Sequence, residues 1–167
     1  MLYLFIVIFV VLVAFAGVIL RGAPYLPTLR TQGEAALELL GLKPGETLLE
    51  LGSGDGQMLV LAARAGLQAV GIELNPFLVI VSRLRTWRYR KQVRIIWGDF
   101  WHVPWPECDG VFTFLLGKFM PRLDKRMQHI KKPLASFAFK IPDKPIQAEK
   151  AGVYLYKYGT VRPHART

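Results

Sequence analysis

Three alternate glycines, Gly52, Gly54 and Gly56, separate a short apolar run from a segment with helical periodicity. Because glycine has no Cβ, such a turn can bend sharply and let a ligand approach the backbone. The start of the following helix also offers unpaired N–H groups. The full stretch reads Leu49-Glu50-Leu51-Gly52-Ser53-Gly54-Asp55-Gly56. A turn of this kind can also be purely structural, so its neighbours along the chain decide between the two interpretations.

Two further carboxylates follow predicted strands. Glu73 ends the second strand, and Asp99 lies just after the third strand, next to Phe100. The Glu73 carboxylate can accept hydrogen bonds from both hydroxyls of a ribose. The alternative is that Glu73 is a surface glutamate at a strand end with no ligand. Asp99 can accept from an adenine amino group beside stacking aromatic rings. Since the carboxyl ends of parallel strands meet at one crevice, the pattern predicts a nucleoside-containing ligand.

Two other ligand classes are disfavoured. A dinucleotide fingerprint would need glycine at position 57, where the chain has Gln57, and no room is left for a separate substrate domain. The single cysteine, Cys108, and three scattered histidines show no metal-ligand spacing, so no metal site is expected.

Apolar runs alternate with helical periodicity through the rest of the chain. This alternation predicts an α/β fold with a doubly wound, mostly parallel Rossmann-like sheet. The predicted helices are Thr31–Leu40, Gln57–Ala65, Pro76–Arg90 and Pro121–Ile130. The predicted strands are Thr47–Leu51, Gln68–Glu73, Val93–Trp97, Gly110–Leu116, Leu134–Ile141 and a last strand-like run, Val153–Tyr158.

The first residues are strongly apolar, and Leu2–Leu20 contains no charge. A helix of that length spans roughly 28 Å, close to the hydrocarbon thickness of a bilayer. The segment therefore predicts one N-terminal transmembrane helix in an anchor of residues 1–21, a proline-containing connector at 22–30 and a single domain at 31–167. A cleaved signal peptide and a buried core helix are the alternatives. Arg21 and Arg30 after the span predict that the domain lies on the cytoplasmic side of a bacterial inner membrane, or on the matrix side of a mitochondrial inner membrane.

The net charge is +10, and much of it lies in two runs. Such runs attract phosphate in nucleic acid or in anionic lipid headgroups, and the alternative is two solvated helix faces. The first run contains Arg83, Arg85, Arg88, Arg90, Lys91 and Arg94; the second contains Lys118, Arg122, Lys125, Arg126, Lys131 and Lys132.

The segment from about Leu40 to Lys140 resembles the class I, seven-strand S-adenosylmethionine-dependent methyltransferases. More narrowly, the chain resembles the mitochondrial protein-lysine methyltransferases that act on adenine nucleotide translocase and on the c subunit of ATP synthase. The motifs that carry this resemblance are Pro24-Tyr25-Leu26-Pro27-Thr28, Gly52-Ser53-Gly54-Asp55-Gly56, Glu73-Leu74-Asn75-Pro76 and Ser82-Arg83-Leu84-Arg85-Thr86-Trp87.

The resemblance implies S-adenosylmethionine as the cofactor, bound at the glycine turn and after the second and third strands. The implied cofactor-binding residues are Glu50, Gly52, Ser53, Gly54, Asp55, Gly56, Glu73, Leu74, Asn75, Asp99 and Phe100. Tyr25 is a candidate lid residue, with membrane-interface anchoring as the alternative. Phe114 is a candidate wall of the acceptor channel, with core packing as the alternative.

We therefore expect a protein-lysine N-methyltransferase that acts on a membrane protein. The end of the fourth strand lacks the Asn/Asp-Pro-Pro-aromatic motif associated with methylating the exocyclic amine of adenine or glutamine, which disfavours a methylase of nucleic-acid amino groups. The alternatives are an RNA or small-molecule methyltransferase, and a membrane-bound module that binds the nucleoside without catalysis. The last hairpin of the fold is expected to be abbreviated, because only Val153–Tyr158 has a strand-like pattern.

Overall fold

A computed structural model describes residues 1–3, 5–6 and 30–159. Within residues 30–159 the helices are α1 (Arg30–Leu40), α2 (Gln57–Arg64), α3 (Pro76–Arg85) and α4 (Met120–Ile130). The strands are β1 (Thr47–Leu51), β2 (Gln68–Glu73), β3 (Val93–Trp97), β4 (Gly110–Thr113), β5 (Leu134–Phe137), β6 (Ala148–Lys150) and β7 (Val153–Tyr156).

The seven strands form one mixed sheet in the order β3-β2-β1-β4-β5-β7-β6. Strands β1 to β5 are parallel, and β7 runs antiparallel to both β5 and β6. The chain builds outwards from β1 through β2 to β3, and then returns to the other side of β1 with β4. This reversal opens a crevice at the carboxyl ends of β1 and β4, where such sheets bind ligands.

Each face of the sheet has its own apolar core, and β1 contributes to both. Leu48 packs with α1 and α2 on one face, whereas Leu49 and Leu51 pack with α4 on the other. All three leucines are buried, and burial of each contributes roughly 1.5–3 kcal/mol. The central strand is thereby fixed, and the glycine turn that follows it starts from a rigid position.

The predicted α/β class and its Rossmann-like sheet are confirmed, with differences at element ends. Strands β4 and β5 end before the apolar runs do, at Thr113 and Phe137. The helix predicted over Pro76–Arg90 ends at Arg85, where the Thr86 hydroxyl donates to the Ser82 carbonyl and a short 3₁₀ turn follows. The final hairpin is complete but short, because the polar segment β6 pairs with β7.

The described residues do not support the predicted N-terminal transmembrane helix. Among the described residues, no helix has the length and apolar character needed to cross a bilayer. This finding overturns the single-pass membrane localisation expected from the sequence. Most of Leu2–Leu20 and all of the connector except Arg30 lie outside the described residues.

One side of the domain exposes a cluster of apolar side chains. Within residues 30–159, every exposed large hydrophobic side chain lies on α3, on the 3₁₀ turn after it, or at the end of β3. No aspartate or glutamate occurs between positions 76 and 94. We call this surface the α3 face; it consists of Phe77, Ile80, Val81, Leu84, Trp87 and Trp97.

Candidate functional site

The turn after β1 is shaped by glycines with left-handed backbone. Gly52, Gly54 and Gly56 have φ angles of 77°, 52° and 80°, a region that side chains with a Cβ rarely adopt. The Gly52 and Ser53 amides donate to the Ile72 carbonyl at 2.9 and 3.1 Å, which ties the turn to the end of β2. Gly56 is the N-cap residue just before α2, and a Cβ there would collide with the Ser82 side chain.

Glu73 connects this turn to the loop after β2. Its Oε2 accepts from the Gly54 amide and its Oε1 accepts from the Asn75 amide, both at 2.8 Å. Burial raises the pKa of Glu73, while the Asn75 and Gly54 amides act to lower it. Each carboxylate oxygen can accept more than one hydrogen bond, so a held carboxylate can still receive two hydroxyls of a ribose.

Glu50, at the carboxyl end of β1, is a buried acid without a complete set of partners. Only 4% of the residue is exposed, and its Oε2 accepts no hydrogen bond from the described residues. Burial raises its pKa well above the usual value, and the nearby Glu73 and Asp55 carboxylates raise it further. The Ser53 hydroxyl is likewise buried with no partner in the described part of the chain. A ligand with an ammonium group at this position would satisfy the carboxylate and restore its charge.

Three other predicted binding residues are occupied by contacts within the protein. Asp55 forms a 2.8 Å ion pair with Arg85 of α3. The Asn75 side chain caps α3 by accepting from the Phe77 amide at 2.9 Å. The Leu74 carbonyl accepts from the Trp97 indole at 3.1 Å. The roles of Asp55, Leu74 and Asn75 in ligand binding stay predictions.

Asp99 organises the turn that follows β3. Its Oδ1 accepts from the Trp101 amide at 2.8 Å, and its Oδ2 contacts His102 Nδ1 at 2.7 Å. The Phe100 ring lies 4.8 Å from that of Trp101, centroid to centroid. The structure thus places Glu50, Glu73 and Asp99 at the carboxyl ends of β1, β2 and β3, along one edge of the sheet.

Phe114 lies just after β4, within an aromatic cluster that the sequence reveals only in part. Its ring centroid is 4.8 Å from that of Phe137 and 6.2 Å from that of Phe139. All three rings are half-buried at the carboxyl ends of β4 and β5. The two partners were missed because both fall inside the run assigned to a longer fifth strand. Tyr25, the other predicted catalytic residue, lies outside the described residues.

Four side chains of the second basic run contact other groups of the protein. Arg122 stacks on Trp101 and Arg126 on Trp105, each with its guanidinium 4.2 Å from the ring centroid. Lys118 lies 4.9 Å from the Phe119 ring, and Lys132 pairs with Asp109 at 3.2 Å. Four of its cations therefore contact the protein itself, which charge counting cannot show.

Comparison with known proteins identifies the family. The family described as the ANTKMT methyltransferase domain matches residues 50–148, which include the glycine turn, Glu73 and Asp99. The chain is 39% identical over 107 residues to the lysine N-methyltransferase of the ATP synthase C subunit from Xenopus laevis. It is 36% identical over 108 residues to the adenine nucleotide translocase lysine N-methyltransferase of Mus musculus.

The extent of these matches differs. Each covers 63% of this chain and 47% of the relative, so the chain spans about half the length of these two relatives. The enzyme from Caenorhabditis elegans that shares its name with the Xenopus laevis protein matches further, with 33% identity over 132 residues, 72% of this chain and 68% of that protein.

Solved structures agree with the fold. An RNA methyltransferase from Salinibacter ruber, in complex with S-adenosyl-L-homocysteine, has a TM-score of 0.75 and 26% identity, covering 84% of this chain and 98% of that one. A methyltransferase from Thiobacillus denitrificans has a TM-score of 0.56 and 22% identity over 71% of this chain and 53% of that one, and this likeness concerns the fold alone. The resemblance read from the sequence motifs is thereby confirmed, and the chain belongs to the ANTKMT methyltransferase domain family.

Proposed function

We propose that this protein transfers a methyl group from S-adenosylmethionine to a lysine side chain of a membrane protein. The observation that carries the proposal is the pair of 2.8 Å bonds from the Gly54 and Asn75 amides to Glu73. They orient a buried carboxylate between the glycine turn and the loop after β2, where a ribose would lie. Family membership and the complex of the Salinibacter ruber enzyme with S-adenosyl-L-homocysteine support the same cofactor.

The residues of the crevice fit the parts of this cofactor. Glu50 would face the ammonium of its methionine moiety, Glu73 the ribose hydroxyls and Asp99 the adenine amine. The glycine turn leaves the backbone open to the ligand, since a Cβ at Gly52 would meet no atom within 4 Å. When bound, the cofactor supplies an electrophilic methyl group on a sulfonium. The protein then needs to hold the acceptor in line with it, about 3 Å away.

An aromatic cluster favours an amine as the acceptor. A lysine side chain has a pKa of about 10.4 and must lose its proton before it can accept a methyl group. The rings of Phe114, Phe137 and Phe139 can hold the ammonium by cation–π attraction. The rings also exclude water from the ammonium, which lowers the pKa of the lysine and favours its neutral form. These residues would serve as walls of the acceptor site, with no covalent role.

Membrane proteins are the first acceptors to test because the relatives are named for two of them. The enzymes from Xenopus laevis and Mus musculus act, by name, on lysines of the ATP synthase C subunit and of adenine nucleotide translocase. The chain spans about half of each, so the acceptor of the whole protein is part of the proposal.

A second candidate acceptor is RNA. The Salinibacter ruber RNA methyltransferase is covered over 98% of its length, far more than the Xenopus laevis and Mus musculus enzymes. The first basic run, Arg83 to Arg94, has no acidic residue within it and could contact phosphates.

Assays with each acceptor distinguish a lysine from RNA as the methyl acceptor. The purified protein is incubated with methyl-labelled S-adenosylmethionine and with the ATP synthase c subunit, translocase or total RNA, and the modified residue is identified by mass spectrometry. Label on a lysine of either protein, lost in Phe114→Ala but retained in a surface control such as Phe77→Ala, supports the proposal. Label confined to RNA would replace lysine by RNA as the acceptor, and no binding of S-adenosylmethionine would reject both.

A further inference from the structure

The connection from β3 to β4 has little regular structure to hold it. Residues 98–109 form neither a helix nor a strand, yet this stretch carries Asp99 and Phe100 to the crevice. Carbonyl groups of such a segment need partners from elsewhere in the protein. The source of those partners decides how rigidly Asp99 is held.

One side chain of α4 supplies partners to three of these carbonyls. The Arg126 guanidinium donates to the Phe100, Trp101 and Val103 carbonyls at 2.8, 3.1 and 3.2 Å. It also stacks 4.2 Å above the Trp105 ring, whose indole nitrogen donates to the Phe100 carbonyl at 2.7 Å. Arginine suits this position because its planar fork holds several donors in fixed directions.

The amides of the same turn point the other way, towards Asp99. The Trp101 amide donates to the carboxylate at 2.8 Å, and the His102 and Val103 amides donate to the Asp99 carbonyl at 2.9 Å. The turn is therefore held from two sides, with carbonyls bound by Arg126 and amides bound by Asp99. Loss of the guanidinium would release the carbonyl side and let Asp99 rotate.

We propose that Arg126 is a positioning residue for recognition of the adenine base. The inference rests on the proposed function, in which Asp99 accepts from the adenine amine. A carboxylate held in one orientation accepts that amine and repels the oxygen that hypoxanthine carries at the same place. A mobile carboxylate loses part of both effects. Arg126 contacts the loop and acts through Asp99, so its removal should weaken base discrimination more than it weakens the fold.

The test compares two ligands on three variants. S-adenosylhomocysteine and its hypoxanthine analogue, S-inosylhomocysteine, are titrated calorimetrically into the full-length protein and into Arg126→Met, Arg126→Lys and Arg122→Met. Arg122→Met is the matched control, because Arg122 stacks on Trp101 of the same loop and donates no hydrogen bond to a carbonyl among the described residues.

We expect Arg126→Met to lose about tenfold in affinity for S-adenosylhomocysteine and to bring the two ligands to nearly equal affinity. Arg126→Lys should recover little, since an ammonium cannot reach three carbonyls in the same geometry. Arg122→Met should keep the affinity and the base preference of the unmodified protein.

Two outcomes would overturn the inference. A folded Arg126→Met variant that keeps the full preference for adenine removes the positioning role, and if that variant does not fold, Arg126→Lys decides in its place. A preference lost equally in Arg122→Met would assign the effect to general loosening of the loop. Failure of the unmodified protein to bind S-adenosylhomocysteine would instead reject the proposed function, and this inference with it.

Discussion

The loops after β1 and β3 reach the same crevice by different means. The β1 loop contains Gly52, Gly54 and Gly56 with positive φ, and it is tied to β2 by the Ile72 carbonyl and Glu73. The β3 loop has no glycine from Asp99 to Cys108 and depends on Arg126, which lies beyond the next strand. A loop made by glycine can be recognised in the sequence from its own residues. A loop held by a distant side chain requires the tertiary structure.

The largest effect is expected from a substitution at the centre of the β1 loop. Gly54→Val should reduce S-adenosylhomocysteine affinity about a hundredfold or more, because valine resists left-handed backbone and would displace the amide bound to Glu73. Calorimetry on the folded variant measures the loss. Gly45→Val is the matched control: Gly45 has φ 89° in a turn at the amino end of β1, so it should lose stability without losing affinity. Equal affinity losses in both variants would contradict a local role for the turn.

The next largest effect is expected at Glu73, the carboxylate that connects the glycine turn to the loop after β2. Glu73→Gln should lower affinity about tenfold to a hundredfold, since it weakens charge-assisted bonds worth about 1.5–3 kcal/mol each. Binding of S-adenosylhomocysteine is again the measurement. Glu46→Gln serves as the control, because Glu46 also accepts a backbone amide, that of Lys43 at 2.7 Å, but at the amino end of β1. A variant that loses stability with unchanged affinity would make Glu73 a purely structural residue.

Substitution of Glu50 should change stability and cofactor binding in opposite directions. The pKa of Glu50 is raised in the folded protein, so between its usual pKa and the raised one the folded state binds more protons than the unfolded state. Stability from this group therefore falls as pH rises through that window. Glu50→Gln should remove the fall and raise Tm at neutral pH, by about 2–4 °C for each kcal/mol relieved.

The same substitution should weaken cofactor binding about five- to tenfold, because an amide attracts an ammonium less than a carboxylate does. Melting curves from pH 4 to 8, with and without S-adenosylhomocysteine, measure both effects. A Glu50→Gln protein that melts lower than the unmodified protein and binds equally well would show that Glu50 stabilises the fold and does not face the ligand.

The smallest expected effect is at the edge of the β1 loop. Arg85→Ala removes the ion pair with Asp55, but the Arg85 side chain is 40% exposed and such pairs contribute little. Affinity should fall about threefold or less. Arg83→Ala, on the same helix, should change nothing measurable. A loss in Arg85→Ala as large as that in Glu73→Gln would mean that Asp55 orients the turn directly.

The sequence predicted the half of the fold that lies next to the glycine turn better than the other half. The bounds of β1, β2 and β3 agree with the structure because turn residues limit their apolar runs sharply. In the other half, the apolar pattern continues through Phe114-Leu115-Leu116 although β4 ends at Thr113. Strand β6, Ala148-Glu149-Lys150, is too polar to be recognised as a strand from its sequence. Period and composition cannot show where a run leaves the sheet.

The candidate site divides in the same way. Glu50, Glu73 and Asp99 could be placed from the sequence because each lies at, or just after, the carboxyl end of a predicted parallel strand. Arg126 appeared only as one charge among six, because its partners are carbonyl groups 23 to 26 positions away. Backbone acceptors carry no sequence signal.

The α3 face has a consequence for behaviour in solution. Apolar side chains such as Leu84, 71% exposed, favour association between copies, whereas the surrounding arginines repel another copy of the same surface. The distance over which this repulsion acts is about 30 Å at 0.01 M salt and about 3 Å near 1 M salt. The protein should therefore remain dispersed in dilute buffer and self-associate as salt is added, the reverse of a protein held together by ion pairs.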